Sequence, residues 1–198
     1  AMFGEEYTLV ACADYVLSKT PGNTVSNMSS TRALRDITEK HGGTYYSSAV
    51  GEVNVVTKMK AVNAVIGGEG NGGIIDPLLH YGRDSLIGTA LFLSLLSTCQ
   101  LSVSELKKTY PEYFMGKGKI QLEPTMDVDA LLLAIEKKYA SNKPSTIDGV
   151  KIDFEASWVH LRKSNTEPII RVYTEAPSQE DADLLMNRFK EELLAWGN

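Results

Sequence analysis

Residues 44–73 read TYYSSAVGEVNVVTKMKAVNAVIGGEGNGG, and their periodicity changes three times. Thr44 to Val50 has the tyrosines and alternation of a strand, whereas Val53 to Val62 spaces its apolar residues as a helix does. Ala64-Val65-Ile66 is a short apolar run suited to a buried strand. Gly67 to Gly73 then turns the chain with five glycines in seven residues. Strand, helix and buried strand in so short a span form the unit from which parallel sheets are built, because parallel neighbours need a crossover between them.

The same alternation continues on both sides. Upstream, Glu5 to Leu17 carries Leu9, Val10, Ala13, Val16 and Leu17 at helical spacing, and Thr20-Pro21-Gly22-Asn23 stops it. Thr24 to Met28 reads as a strand. A helix from Arg32 to His41 follows, capped by Ser29, Ser30 or Thr31 and closed by Gly42-Gly43. Downstream, Asp84 is placed to cap an apolar helix over Ser85 to Ser97, and Ser104 to start another. The expected fold is α/β, a three-layer α/β/α sandwich on a mostly parallel sheet.

After Pro111 the pattern changes. Lys117 to Leu122 reads as a strand and Asp127 to Tyr139 as an amphipathic helix. Three strand-like runs then come without helices between them, Gly149 to Phe154, Ser157 to Leu161 and Ile169 to Thr174. A last helix, Ser178 to Trp196, has Glu180 and Asp181 in its first turn, where the helix dipole favours anions. This is the order of a smaller α+β domain with an antiparallel sheet. The expected division is 1–115 and 116–198.

Composition excludes several classes. Of 198 residues, 43% are hydrophobic and 23% charged, an ordinary globular balance. Twenty Lys and Arg against 25 Asp and Glu give a net charge of −5, with no basic stripe for nucleic acid. No apolar run approaches the ~20 residues that span a bilayer. No nucleic-acid or membrane partner is expected, and the expected location is cytoplasmic. Cys12 and Cys99 are read as buried, reduced thiols, and Trp158 and Trp196 as core. The three histidines have no metal-ligand spacing.

Two segments stand out. Gly68 to Gly73 formally fits G-x-G-x-x-G, yet Ile74-Ile75-Asp76-Pro77 is a poor helix start, so the nucleotide reading is weak. The remaining readings are a glycine-rich turn of purely steric origin, or a loop that brings a ligand close to the backbone. In the second case Glu69 and Asn71 offer the acceptors and donors that paired sugar hydroxyls need. The other segment is Arg162-Lys163-Ser164-Asn165-Thr166-Glu167-Pro168, with Arg171 beyond it. An arginine fork, hydroxyls and backbone N–H groups suit a phosphate, although Ser, Asn and Thr also build ordinary hairpin turns.

Taken together, these motifs resemble the α-D-phosphohexomutase family (phosphoglucomutase, phosphomannomutase and phosphoglucosamine mutase). Gly68-Glu69-Gly70-Asn71-Gly72-Gly73 resembles its sugar-binding loop. The run from Arg162 to Pro168, continued by Arg171 and Glu175-Ala176, resembles its C-terminal phosphate-binding loop, in the family's order and about ninety residues on. The resemblance extends over nearly the whole chain but only to the last two of four domains. It implies an isomerase of carbohydrate metabolism that interconverts hexose or hexosamine 6-phosphate and 1-phosphate by phosphoryl transfer, with magnesium. The phosphoserine loop and metal loop are not in this sequence, so the chain alone is expected to be inactive, with no catalytic residue or metal ligand of its own.

By the same resemblance Glu69, Gly70 and Asn71 bind the sugar, and Arg162, Ser164, Asn165, Thr166 and Arg171 hold the non-reacting phosphate. Arg171 could point into the site or away. The implied partners are a sugar phosphate and the N-terminal domains of the same protein. The alternative is a stand-alone, non-catalytic sugar-phosphate-binding module. Two departures are visible: the common bacterial loop reads G-E-x-S-G-H, where this chain has Asn71 and Gly73, and Glu52 stands where some members carry a histidine. An acid/base role for those histidines does not carry over. The G-E-G-N-G-G form, with Tyr81-Gly82-Arg83-Asp84, resembles the archaeal-type branch.

Overall fold

The computed structural model describes residues 2–121, 126–164 and 169–197. The chain divides into two compact units, Ala1–Glu112 and Tyr113–Asn198.

In the first unit the order is α1 (Glu5–Lys19), β1 (Asn23–Asn27), α2 (Ala33–Lys40), β2 (Tyr45–Ser48), α3 (Glu52–Ala61), β3 (Ala64–Glu69), β4 (Gly73–Ile75), α4 (Ser85–Cys99) and α5 (Val103–Lys107). The sheet runs β2-β1-β3-β4. β1 lies parallel to both β2 and β3, and β4 returns antiparallel to β3. Successive side chains of a strand face opposite layers. Val25 and Ile75 therefore pack with Val55 and Met59 of α3. Thr24 instead meets Thr38 of α2, hydroxyl to hydroxyl at 2.6 Å. An added Cβ at Gly68 would touch Leu9 of α1, and one at Gly88 of α4 would touch Ile74. Helices thus cover both faces of a mixed, mostly parallel sheet.

The caps follow sequence chemistry with one change. Asp84 accepts from the Leu86 and Ile87 amides at the start of α4. α5 is capped by Ser102 rather than Ser104, because Glu105 closes a reciprocal capping box with Ser102. Cys12 is buried and its thiol is pushed up to about 12 by desolvation, but Cys99 is only half-buried, near the exposed end of α4.

The second unit holds β5 (Phe114–Gln121), α6 (Val128–Lys138), a short 3-10 turn (Ala140–Asn142), β6 (Val150–Asp153), β7 (Trp158–Lys163), β8 (Ile169–Ala176) and α7 (Gln179–Gly197). All neighbours in the sheet, β5-β8-β7-β6, are antiparallel. β5 begins at Phe114, opposite Ala176, so the division between units comes slightly before residue 115. One face is apolar: Ile120, Val150, Ile152, Val159, Leu161, Ile170 and Val172 pack on Leu131, Ile135, Phe189 and Leu193 of the helices. The G-K-G-K run of β5 obeys the same alternation, since a Cβ at Gly118 would sit 2.6 Å from Met186 of α7. The opposite face carries Lys117, Lys119, Arg162, Arg171 and His160.

Candidate functional site

Because β1, β2 and β3 run parallel, the segments leaving their carboxyl ends gather at one edge of the sheet. Open α/β sheets bind ligands at such edges, where loops and helix N-termini converge. At this edge Asn27, the last residue of β1, donates from Nδ2 to Glu69 Oε1 at 3.1 Å. Its own Oδ1 accepts from the Ser29 amide and the Ser30 hydroxyl. Ser30 Oγ in turn accepts from the Gly70 amide at 2.9 Å. Glu6 of α1 accepts from the Thr31 amide, and its carboxylate occupies the space a Cβ at Gly70 would need.

Glu69 is only 5% exposed. Its Oε2 pairs with Arg83 Nη1 at 3.2 Å. Each oxygen has a recorded partner, yet a carboxylate offers about four acceptor sites, so capacity for hydroxyl donors remains. Gly70 is buried beneath the loop and Asn71 is exposed at its tip. The Asn71 Oδ1 accepts from the Gly73 amide, while the Gly72 amide bonds back to the Glu69 carbonyl. Gly72 has a φ of 83°, the left-handed residue that closes a three-residue hairpin loop. The last glycine of the apparent dinucleotide fingerprint thus opens strand β4, not a helix that could receive a pyrophosphate.

A cavity of about 460 Å³ opens beside this loop, lined by Glu52, Asn71, Gly72, Gly73, Arg83 and Asp84, with Ser85 at its rim. A second cavity, of about 670 Å³, lies among Met2, Phe3, Tyr7, Val103 and Lys107 and contains none of the expected site residues. Hydrogen bonds from Arg83 hold the Glu52 carboxyl below the usual carboxylate range.

In the second unit, β7 and β8 set Arg162 directly opposite Arg171, and β5 sets Lys119 opposite Arg171. Directly opposed side chains share a sheet face, so three cations stand in one row. Arg171 therefore points to the same side as Arg162, which the sequence left open. Asp148 reaches Arg162 Nε with both carboxylate oxygens at 3.0 Å. The Asp148 carbonyl accepts from Nε2 of His160 at 2.6 Å, which fixes the proton on that nitrogen. Burial pushes the His160 imidazole down to about 4, so it is neutral near pH 7. Ser164 follows β7, its amide bonded to the Ile169 carbonyl. Asn165 and Thr166 lie outside the described residues.

Sequence reading missed Lys119, Asp148 and Asn27 as members of these clusters and gave Arg83 no role in the site. Only the alternation of β5 hinted at Lys119. Among the described residues no group of three or more His, Cys, Asp or Glu is placed to hold a metal ion. No helix among them is long and apolar enough to cross a membrane.

Comparison with known proteins accounts for both units. Residues 4–113 match phosphoglucomutase/phosphomannomutase alpha/beta/alpha domain III, and residues 120–192 match the C-terminal domain of the same family. A phosphoglucosamine/phosphogalactosamine mutase of Sulfurisphaera tokodaii is 36% identical over 84% of this chain and 37% of its own length. A phosphoglucomutase/phosphomannomutase of Thermococcus kodakarensis is 34% identical over 88% of this chain and 39% of its own. The chain thus spans about two fifths of the length of these relatives. Among solved structures, a phosphoglucomutase/phosphomannomutase family protein of Burkholderia thailandensis superposes with a TM-score of 0.79 at 24% identity, covering 98% of this chain and 42% of that one. An Aspergillus fumigatus N-acetylphosphoglucosamine mutase, in complex with GlcNAc-6P and magnesium, has the same fold at 16% identity and a TM-score of 0.63, over 96% of this chain and 46% of its own. With both of its units matched in order, the chain belongs to the phosphoglucomutase/phosphomannomutase family.

Proposed function

We propose that this chain is the substrate-recognising C-terminal part of a mutase that interconverts hexose or hexosamine 6-phosphate and 1-phosphate. The division of labour is one unit for the sugar and one for the phosphate. Glu69 accepts hydrogen bonds from sugar hydroxyls, with Asn71 and the Gly70 backbone beside it. Arg162 and Arg171, with Ser164, Asn165 and Thr166, hold the phosphate that does not react. A fixed remote phosphate provides binding energy that orients the reacting end of the sugar.

The observation that carries the reading is the row Lys119, Arg171 and Arg162. Like charges directly opposed across strands are destabilising, and an anion between them removes that cost. Asp148 engages the inner nitrogen of Arg162, so the proposed phosphate contacts are assigned to the two terminal nitrogens of the fork. A bidentate arginine is the strongest side-chain recognition of phosphate.

Phosphoryl transfer needs a positioned donor and compensation of developing charge. Neither a T-A-S-H-N-P-like serine run nor a D-x-D-x-D-R-like metal run occurs in this sequence. Binding without turnover is therefore the expected behaviour of the chain alone. Calorimetric titration with glucosamine 6-phosphate, mannose 1-phosphate, glucose 1-phosphate and inorganic phosphate tests it. The expected result is that sugar phosphates bind more tightly than inorganic phosphate, one of them preferred. Equal affinity for all four, or none for any, would overturn the sugar assignment.

A further inference from the structure

We infer that Arg83 is the positioning residue for Glu69, and that Glu52 and Gly73 are the two residues that let it take that place. The inference rests on Glu69 being a sugar ligand, as proposed above. Arg83 lies between β4 and α4, next to Asp84, whose amide is tied to the Ile74 carbonyl at 2.9 Å. From there its guanidinium reaches in two directions. Nη1 meets Glu69 Oε2 at 3.2 Å, and Nε meets Glu52 Oε2 at 2.8 Å. The other Glu52 oxygen accepts from the Arg83 backbone amide at 3.1 Å. Glu52 thus grips both the main chain and the side chain of Arg83, and the orientation of the fork toward Glu69 is fixed from behind.

Gly73 supplies the remaining condition. A Cβ there would lie 2.6 Å from Arg83 Cδ and 3.2 Å from its Cγ, so the arginine stem crosses the loop where only glycine leaves room. By the resemblance, Glu52 stands where some members carry a histidine and Gly73 where the common bacterial loop carries one, and Arg83 meets both positions. Further charged groups against this cluster are Asp84, itself bonded to His80 at 3.2 Å, and the Glu6 carboxylate beside Gly70.

The contribution is to geometry more than to stability. The Arg83 side chain is 45% exposed and that of Glu52 is 34% exposed, and ion pairs at such exposure stabilise folds little. Glu69 is buried, so what the arginine fixes is the direction of its carboxylate. A carboxylate that accepts from sugar hydroxyls must hold that direction closely for recognition to work.

The test uses the whole chain, titrated with glucosamine 6-phosphate and with inorganic phosphate. Arg83→Ala and Gly73→Ala are each expected to weaken the sugar phosphate about ten-fold or more, the range for a lost hydrogen bond to a charged group, and to leave inorganic phosphate unchanged. Adding Glu69→Gln to Arg83→Ala should cause little further loss, since both act through one carboxylate. Arg83→Lys, which cannot span two carboxylates, should fail to restore affinity. If Glu69→Gln weakens the sugar phosphate while Arg83→Ala does not, the inference is wrong and the sugar assignment stands. If Glu69→Gln has no effect, the sugar role of Glu69 fails and the inference falls with it. A second readout needs no ligand: the Arg83 Nε–H signal in nitrogen-15 NMR should exchange slowly with water. That protection should vanish in Glu52→Ala and in Gly73→Ala, and a signal indifferent to both changes would overturn the clamp.

Discussion

The glycine-rich loop of the first unit and the cation row of the second are built in opposite ways. Around Glu69 to Gly73 every close approach is matched by a partner or by a missing side chain. Asn27 and Arg83 take the Glu69 oxygens, Ser30 takes the Gly70 amide, and Gly73 clears the path of Arg83. Across β5, β8 and β7 the design is reversed: Lys119, Arg171 and Arg162 face one another, and among the described residues Asp148 pairs with Arg162. The first region has its polar groups paired within the fold. The second sets like charges side by side, a cost that the proposed phosphate would relieve.

The largest expected effect concerns His160, which anchors the cation row through Asp148. Its folded value of about 4 lies below the ordinary 6.5, so between these pH values the unfolded chain binds more protons and acid favours unfolding. The cost is absent above pH 6.5, grows as pH falls, and is complete near pH 4 at about 3 kcal/mol, since each unit is about 1.4 kcal/mol. Denaturant titrations at pH 7 and pH 4.5 measure it. His160→Gln, which keeps a donor for the Asp148 carbonyl, should flatten that part of the profile, and an unchanged slope would take the anchor role from His160.

Next, Arg162→Ala should weaken binding of sugar phosphate and inorganic phosphate alike by about 1.5–3 kcal/mol. A loss confined to the sugar phosphate would erase the distinction between the two regions. Gly70→Ala attacks the other side. Its Cβ would push the Glu6 carboxylate away from the Thr31 amide, so a loss of about 0.5–1.5 kcal/mol in stability is expected from that bond, with inorganic phosphate affinity retained. Calorimetry and a melting curve on the same sample separate these outcomes.

The smallest effect is the sharpest in sign. Arg171→Ala removes one of two directly opposed arginines, so the free chain should gain about 0.2–1 kcal/mol in stability while phosphate binding weakens. Loss of stability on this change would mean that the row is not a site of stored repulsion.

Much of this was legible in local sequence. Asp84 and Ser178 announce their helices, and the glycine-rich turn shows where the backbone must be bare. Cap chemistry, periodicity and turn composition all act within a few residues, so they survive in a one-dimensional reading. The misses have a common character. The sequence places the start of α5 at Ser104, because the reciprocal bonds of Ser102 and Glu105 depend on one register of the helix start. Cys99 was expected to be buried because its helix is apolar all round, and such a helix does not reveal which face is covered.

The sequence by itself determined the family motifs, the order of strands and helices apart from the short return strand β4, and the change from a mostly parallel to an antiparallel sheet. Only the tertiary structure decided that Arg171 stands beside Arg162 and that Lys119 completes the row. It alone brought Asn27 to Glu69, and Arg83 to Glu69 and Glu52. Strand register and long-range ion pairs join groups from nine to 52 residues apart. They are fixed by which strands pair and how far the chain must travel to reach its partner, and neither quantity is written in any local stretch of sequence.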